Sequence, residues 1–250
     1  MNQITVYIPS YFGQGPLRNE RVNIHQRQLD WLLQSPLVGR IYICSQDYHF
    51  GEKRKSHMIE YIDHPRISPA AARNVLLEHF YQSSKTRCVF MDNDIVPNRD
   101  FTFFYQFANE VLVKSKYVKY DILMFTPAKD GAKEKKSCRV SRTSTFITQF
   151  FFMNNEREQY FDESYKDMED YEYGLRLITN GGQIYTTEDC NFYSHQYENS
   201  VIYQSWKERT DKYSKIRIAL EEKYEAILGE KFLTWFAKQS FQNITIQLNL

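Results

Sequence analysis

Two aspartates separated by a single residue, Asp92 and Asp94, follow a short apolar run at residues 88–91. Such a run predicts a buried strand, and open α/β sheets bind their ligands at the carboxyl ends of their strands. Carboxylate oxygens suit Mg²⁺ or Mn²⁺, ions that usually complete their coordination with water and substrate phosphates. We therefore expect a metal-bound phosphate substrate here. The alternative is a solvated turn or a helix cap.

A second acidic pair, Glu169 and Asp170, begins a helical pattern farther along the chain. On a helix, Asp170 projects about 100° round from Glu169, and the apolar residues of the same segment occupy another face. The acids are then expected to border the mouth of a cleft. The alternative is a solvated helix start, because the helix dipole favours acidic residues there.

Two basic side chains accompany these acids. His195 follows a later strand pattern, and an imidazole suits Mn²⁺ better than Mg²⁺; a hydrogen-bonded structural histidine is the alternative. Arg73 lies in the helical segment before the aspartates, and its planar guanidinium matches phosphate oxygens. A helix residue paired with a carboxylate is the alternative for Arg73.

The elements that must position these side chains alternate between strand and helix patterns. Strands are predicted at residues 4–8, 40–44, 58–62, 87–91, 121–126, 145–153 and 183–187, and helices at 20–34, 70–81, 101–114, 165–179 and 205–224. Ser68 and Pro69 supply a cap and a first-turn residue for the second helix. This alternation predicts a mainly parallel α/β sheet flanked by helices.

Length and composition fit one globular domain with a substantial core, or a domain with a small appendage. Of the 250 residues, 42% are hydrophobic and 25% are charged, and the net charge is +1, so no whole-molecule field directs the protein to nucleic acid or an anionic membrane. The four cysteines lie far apart, which predicts buried free thiols. Because we find neither a signal peptide nor an apolar run of transmembrane length, we expect a cytoplasmic protein.

Together these segments resemble glycosyltransferases of the GT-A fold, especially the inverting enzymes grouped with family 2. The resemblance covers residues 4–196 and uses four short motifs in the family's order, at residues 9–11, 72–74, 92–94 and 169–170, with Phe-Asp-Glu at 161–163 before the last. It implies a GT-A (Rossmann-like) domain at residues 1–200, divided near residue 97 into a nucleotide-sugar half and an acceptor half. Residues 201–250 would form a C-terminal helical extension packed on the same domain.

The resemblance also implies an activity: transfer of a sugar from a nucleotide-diphosphate sugar to an acceptor hydroxyl, with inversion. Asp94 would be a direct ligand of Mn²⁺ or Mg²⁺, Asp92 would contact the ribose or reach the ion through water, and His195 would be a third ligand. Asp170 would be the base that accepts the acceptor's proton, and Glu169 would bind the acceptor.

The remaining donor contacts follow from the same resemblance. The residues implied to bind the donor are Pro9, Tyr11, Asp47, Arg73, Asn74, Asp92 and Asn93. The second strand departs from the family's pattern because it ends in Ser-Gln-Asp at residues 45–47, where many members have consecutive acids followed by Gly-Ser. This departure leaves Asp47 as the candidate contact to the nucleotide base.

Basic clusters occur at residues 53–55 and 129–142. In the fold that the resemblance implies, the second cluster would border the acceptor cleft, as a lid or as a binding site for an anionic acceptor, with a solvated loop as the alternative. A phosphorylated glycan, a lipid-linked saccharide or DNA with hydroxymethylated bases would fit, and the oligomeric state stays open. One competing function is a sugar-1-phosphate nucleotidyltransferase, although residues 13–15 are sparse for its glycine-rich loop. Another is a noncatalytic nucleotide-sugar-binding module.

Overall fold

A computed structural model describes residues 3–49, 51–114, 120–126, 137–188, 193–195, 206–239 and 244–247. The strands are β1 (Ile4–Ser10), β2 (Val38–Ser45), β3 (Ile59–Asp63), β4 (Arg87–Met91), β5 (Ile95–Pro97), β6 (Ile122–Met124), β7 (Ser137–Arg142), β8 (Phe150–Asn154), β9 (Ile184–Glu188), β10 (Tyr193–His195) and β11 (Ile244–Gln247). The helices are α1 (Arg18–Leu33), α2 (Pro69–Gln82), α3 (Phe101–Lys114), α4 (Glu169–Thr179), α5 (Trp206–Leu228) and α6 (Phe232–Lys238).

Nine of these strands form one sheet in the order β11-β7-β9-β6-β8-β4-β1-β2-β3. Strands β7 and β8 are antiparallel to the other seven strands, which all point in one direction. The predicted mainly parallel sheet is therefore confirmed. Because β1 and β4 are parallel neighbours, the segments that follow them leave the sheet at the same edge. This edge carries the candidate site.

Helices cover both faces of the sheet, and the pleat decides which strand residues each layer contacts. On one face, α1 and α3 bury Leu29 and Phe104 against residues such as Ile8. On the other face, α2 and α4 bury Phe80 and Leu175 against residues such as Tyr7. Alternate residues of β1 therefore belong to two separate hydrophobic clusters, as expected for a strand that is buried on both sides.

Helix α2 begins as its sequence predicts. Ser68 Oγ accepts a hydrogen bond from the amide of Ala71 at 3.1 Å, and Pro69 occupies the first helical position. The cap matters for the site because it fixes where the first two turns of α2, which carry Arg73 and Asn74, leave the sheet edge.

Two predicted boundaries need correction. The helix predicted from residue 165 begins only at Glu169, because Met168 has a left-handed backbone with a φ of 61° that no α-helix can contain. The strand predicted from residue 145 begins only at Phe150. The amide of Thr145 instead binds Thr143 Oγ1 at 3.1 Å, so this segment forms a local turn.

The structure also contains strands that the sequence patterns did not indicate, namely β5, β7, β10 and β11. The last six residues of the basic segment 129–142 form β7, so they are not part of a loop or a lid. Residues 129–136 of that segment lie outside the described part of the chain. After helices α5 and α6, β11 pairs with β7 and extends the same sheet, so the predicted helical extension at residues 201–250 is not purely helical.

Cys44, Cys88 and Cys138 are buried free thiols, as predicted, and Cys190 lies outside the described residues. Burial raises the pKa of Cys44 to about 11, which keeps this thiol protonated. No helix within the described ranges has the length and apolar character needed to span a bilayer.

Candidate active site

Carboxylates from two distant parts of the chain meet at Arg73. The Arg73 Nη2 atom lies 3.2 Å from Asp92 Oδ1, just after β4, and Nη1 lies 3.1 Å from Glu169 Oε1 at the start of α4. The arginine side chain is only 8% exposed. The two acidic pairs singled out in the sequence are therefore brought together, with a buried guanidinium between them.

This contact agrees with the alternative that the sequence left open for Arg73, a helix residue paired with a carboxylate. The charges of Asp92, Glu169 and Asp170 raise the pKa of Arg73 against the opposing effect of its burial. Its neighbour Asn74 donates to the carbonyl oxygen of Phe161 at 2.9 Å and accepts from that residue's amide at 2.7 Å. Both side chains thus hold the approach to α4 in place, and a direct contact with a donor stays a prediction for each.

The carboxylate of Asp94 is the unusual member of the group. Its Oδ1 atom is buried and has no hydrogen-bond partner among the described residues. Burial raises the pKa of this carboxyl, while the charges of Arg21 and Arg73 oppose that shift. A buried carboxylate oxygen without a partner is costly, and a cation would satisfy it.

A divalent cation fits the charges of this region. The four acids Asp92, Asp94, Glu169 and Asp170 outnumber the two guanidinium groups, of Arg73 and Arg21, whose charges act on them. Their oxygens are the kind of ligand that Mg²⁺ and Mn²⁺ prefer. Asp94, with Asp92 beside it, is the residue best placed to hold such an ion.

The third metal ligand stays a prediction. No group of three or more potential metal-binding side chains occurs within the ranges that the structure describes. The backbone of His195 is paired with Ile95 in the small antiparallel sheet of β5 and β10, so it lies opposite the residue that follows Asp94. The side chain of His195 falls outside the described part of the chain.

Asp170 has the properties expected of a base. Burial, followed by the negative charge of Glu169, raises its pKa to about 6, and Arg73 opposes this shift. A carboxyl with this pKa is mostly ionised at neutral pH and still accepts a proton more readily than an ordinary aspartate. Its Oδ1 accepts a hydrogen bond from the amide of Tyr171 at 2.8 Å, which holds the carboxylate at the first turn of α4.

The buried carboxylate of Glu172 pairs with Arg176 within helix α4 and joins α4 to helix α5. Glu172, 1% exposed, accepts hydrogen bonds from Arg176 Nε at 3.0 Å and from Tyr224 Oη of α5 at 2.7 Å. The pairing of Glu172 with Arg176 is the one its sequence spacing suggests. On the other side, a Cβ atom at Gly174 would lie 2.7 Å from Phe146 Cβ, so glycine permits the helix to pack this closely.

On the predicted donor side, the carboxylate of Asp47 shapes the loop after β1. It accepts hydrogen bonds from the amides of Phe12 at 3.0 Å and Gly13 at 2.9 Å, and it pairs with Arg18 Nη1 at 2.9 Å. The candidate base contact is therefore already occupied by protein groups, and a contact between Asp47 and a nucleotide stays a prediction.

The other predicted donor residues lie at the ends of β1 and β4. Pro9 is within β1 and is paired with Cys44 of β2, and the ring of Tyr11 lies 4.9 Å from the guanidinium carbon of Arg66. Asn93 donates to Ser10 Oγ at 3.0 Å, which joins the two strand ends.

Sequence reasoning missed the polar side chains beneath the two aspartates. Gln28 donates to the carbonyl oxygen of Asp92 at 2.8 Å, and His25 and Tyr48 extend the contact. The only available signal was a polar residue inside the α1 pattern, such as Gln28, which shares a helical face with Ile24 and Leu32.

The sequence matches no family model and no curated protein. Among solved structures, residues 1–349 of TarS from S. aureus match with a TM-score of 0.53 and 16% identity, covering 77% of this chain and 60% of that one. The same fragment with bound UDP-GlcNAc matches with a TM-score of 0.52 and 15% identity, covering 80% and 62%. The fragment with bound UDP matches with a TM-score of 0.52 and 15% identity, covering 77% of this chain and 60% of that one.

TarS is a family 2-like glycosyltransferase of the GT-A type, and this chain spans about 60% of the length of its fragment. At this level of identity the likeness concerns the fold, and it agrees with the resemblance that the sequence motifs indicated. The protein has the GT-A fold of glycosyltransferases.

Proposed function

We propose that the protein is a metal-dependent glycosyltransferase that moves a sugar from a nucleotide-diphosphate sugar to an acceptor hydroxyl with inversion. The observation that carries the proposal is the meeting of the two acidic pairs at Arg73, with the pKa of Asp170 raised to about 6. A base and a group of cation-binding acids are then held on two sides of one buried guanidinium.

In this reaction Asp170 takes the proton of the acceptor hydroxyl, and the hydroxyl oxygen forms a bond to the anomeric carbon of the donor. The bond between that carbon and the phosphate oxygen breaks, and its electron pair leaves with the nucleoside diphosphate. A divalent cation bound at Asp94 would offset the charge that develops on the diphosphate. Attack from the side opposite the leaving group inverts the anomeric centre.

For the donor, uridine nucleotides are the first choice to test, since TarS structures contain UDP and UDP-GlcNAc. The acceptor is proposed only as a hydroxyl on a glycan, a lipid-linked saccharide or a hydroxymethylated DNA base. Of the basic cluster 53–55, Lys53 pairs with Asp63 and Arg54 with Asp30. These two residues are thus already neutralised, which weakens the case for an anionic acceptor at this cluster.

The test is to incubate the protein with UDP-, GDP- and CMP-sugars and Mn²⁺ or Mg²⁺, and to measure release of the nucleotide. We expect metal-dependent release from one donor class, reduced at least about 100-fold by Asp170→Asn, since a general base contributes about that much. Asp94→Asn should weaken the dependence on metal. Glu222→Gln on the exposed side of α5 is the matched control, and it should leave release unchanged.

Three results would contradict the proposal. Pyrophosphate formation from a nucleoside triphosphate and a sugar 1-phosphate would identify a nucleotidyltransferase. Binding of a nucleotide sugar without turnover under every condition would identify a noncatalytic module. Retention of the anomeric configuration in the product would remove Asp170 as the base.

A further inference from the structure

Beneath the acidic loop, which we define as residues 92–94, a chain of buried polar side chains forms a closed circuit. Asn93 Nδ2 donates to Ser10 Oγ at 3.0 Å, and Ser10 Oγ lies 2.9 Å from Tyr48 Oη. Tyr48 Oη lies 2.8 Å from His25 Nε2, and His25 Nδ1 lies 3.2 Å from Gln28 Oε1.

The circuit returns to the loop from which it started. Gln28 Nε2 donates to the carbonyl oxygens of Asp92 at 2.8 Å and Ile95 at 3.4 Å. The side chain of Asn93 and the backbone on both sides of Asp94 are therefore tied to the same set of groups. The set joins the end of β1, helix α1 and the segment after β2, three parts of the chain that are distant in sequence.

Each hydrogen bond in the circuit has one possible direction. Because Gln28 Nε2 faces two carbonyl oxygens, its Oε1 must accept the proton on His25 Nδ1. In a neutral imidazole His25 Nε2 then carries no proton and accepts from Tyr48, so Tyr48 Oη accepts from Ser10. Ser10 in turn accepts from Asn93. Each contact of the circuit then joins one donor to one acceptor.

The surroundings agree with this assignment. His25 and Ser10 are fully buried, and Gln28 is 2% exposed. Burial lowers the pKa of His25 to about 4, so the imidazole carries no charge near neutral pH. In such a site, leaving one polar group without its partner is costly, and the circuit is cooperative for that reason.

We propose that Ser10, His25, Gln28 and Tyr48 are positioning residues that clamp the acidic loop and so set the geometry of the donor and cation site. The inference deepens the proposed function and depends on it for its consequence in binding. None of the four needs to touch a substrate. Their effect passes through the backbone of Asp92 and Ile95 and through Asn93, because ligand groups must be held to within a fraction of an ångström to bind a cation well.

The test compares Tyr48→Phe and Ser10→Ala with Tyr42→Phe. The first two variants break the circuit, whereas the hydroxyl of Tyr42 on β2 has no hydrogen-bond partner within the described residues. Two measurements are made on the full chain: hydrogen–deuterium exchange of a peptide covering residues 92–95, and affinity for UDP with Mn²⁺ by calorimetry. Ser10→Ala is the milder change and keeps the test valid if Tyr48→Phe fails to fold.

We expect exchange at residues 92–95 to become about tenfold faster in both circuit variants, with at least about tenfold weaker binding of UDP and Mn²⁺ and no change in Tyr42→Phe. Unchanged exchange in folded circuit variants would overturn the clamp. Faster exchange with wild-type affinity would overturn the positioning role. If the wild type itself binds no nucleotide while exchange still accelerates, the proposed function fails and the clamp is retained.

Discussion

Arg73 carries the only guanidinium that contacts acids from both ends of the candidate site, as far as the described residues go. The side chains of its partners Asp92 and Glu169 are 25% and 14% exposed, so little water is available to solvate them in place of the guanidinium. Without Arg73, these carboxylates would be left close together and poorly solvated. The residue therefore sets both the geometry and the net charge of the site.

Replacement of the buried cation should destabilise the fold. We expect Arg73→Met to lower the free energy of unfolding by about 3 kcal/mol or more at neutral pH, because a buried pair that loses one partner leaves an uncompensated charge. Arg54→Met is the control: its pair with Asp30 is nearly half exposed on both sides and should contribute about 1 kcal/mol or less. Urea unfolding measures both, and equal losses would contradict the role given to Arg73.

The raised pKa of Asp170 predicts a pH-dependent gain in stability for Asp170→Asn. The folded pKa of about 6 lies above the unfolded value of about 3.9, so the folded state holds the proton more tightly and ionisation costs stability as pH rises. Asp170→Asn should be about as stable as wild type near pH 4, and up to about 3 kcal/mol more stable above about pH 7.

The control for this pH dependence is Asp162→Asn. Hydrogen bonds from Ser164 lower the pKa of Asp162, so its ionised form is favoured in the folded state and the variant should gain nothing at high pH. Unfolding free energies at the two pH values decide the matter, and a gain for Asp170→Asn that is equal at both would contradict the raised pKa.

At the scale of elements, α4 lies between α2, which holds its first turn, and α5, which holds its buried acid. Tyr224 Oη donates to Glu172 at 2.7 Å. We expect Tyr224→Phe to cost about 1–2 kcal/mol of unfolding free energy, because Glu172 then loses a partner in a buried position. Tyr165→Phe removes a hydroxyl that only accepts a 3.4 Å contact from the exposed Lys223, and it should change stability by less than about 0.5 kcal/mol.

The long elements were predictable from the sequence because each combines a clear period with a start or stop signal. Helix α2 shows this best, with Ser68 as its cap. The placement of Asp92 and Asp94 after a buried strand was predictable for the same reason. Pairs that depend on tertiary contact, such as Arg73 with Glu169, were not, because nothing in the local pattern distinguishes a buried partner from solvent.

The short strands escaped prediction for a different physical reason. In β7, buried Cys138 and Val140 alternate with exposed Arg139, but the strand is brief and continues a run of basic residues that suggests a loop. Strands β5 and β10 have three residues each, so their pairing partner and not their own sequence determines their conformation. The buried circuit of His25 and Gln28 was hidden because polar residues within a helix usually face water.

At the scale of the whole molecule, excess negative charge near one sheet edge predicts cation-dependent stability. Mn²⁺ should raise the melting temperature, and a concentration of about 100 times Kd corresponds to about 2.7 kcal/mol. Asp94→Asn should remove most of this gain, and a chelator should reverse it in the wild type. Glu222→Gln should respond as the wild type does, and an Asp94→Asn variant stabilised to the same extent by Mn²⁺ would contradict the assignment.

The pairing of β11 with β7 has a consequence for synthesis on the ribosome. One edge strand of the large sheet, β11, comes from residues 244–247, while its neighbour β7 ends about 100 residues earlier, at Arg142. During translation the backbone N–H and C=O groups along one edge of β7 stay unpaired until β11 has been made. Such an exposed edge favours pairing with other chains. We therefore expect nascent chains stalled before residue 244 to aggregate more readily than chains that extend beyond residue 247.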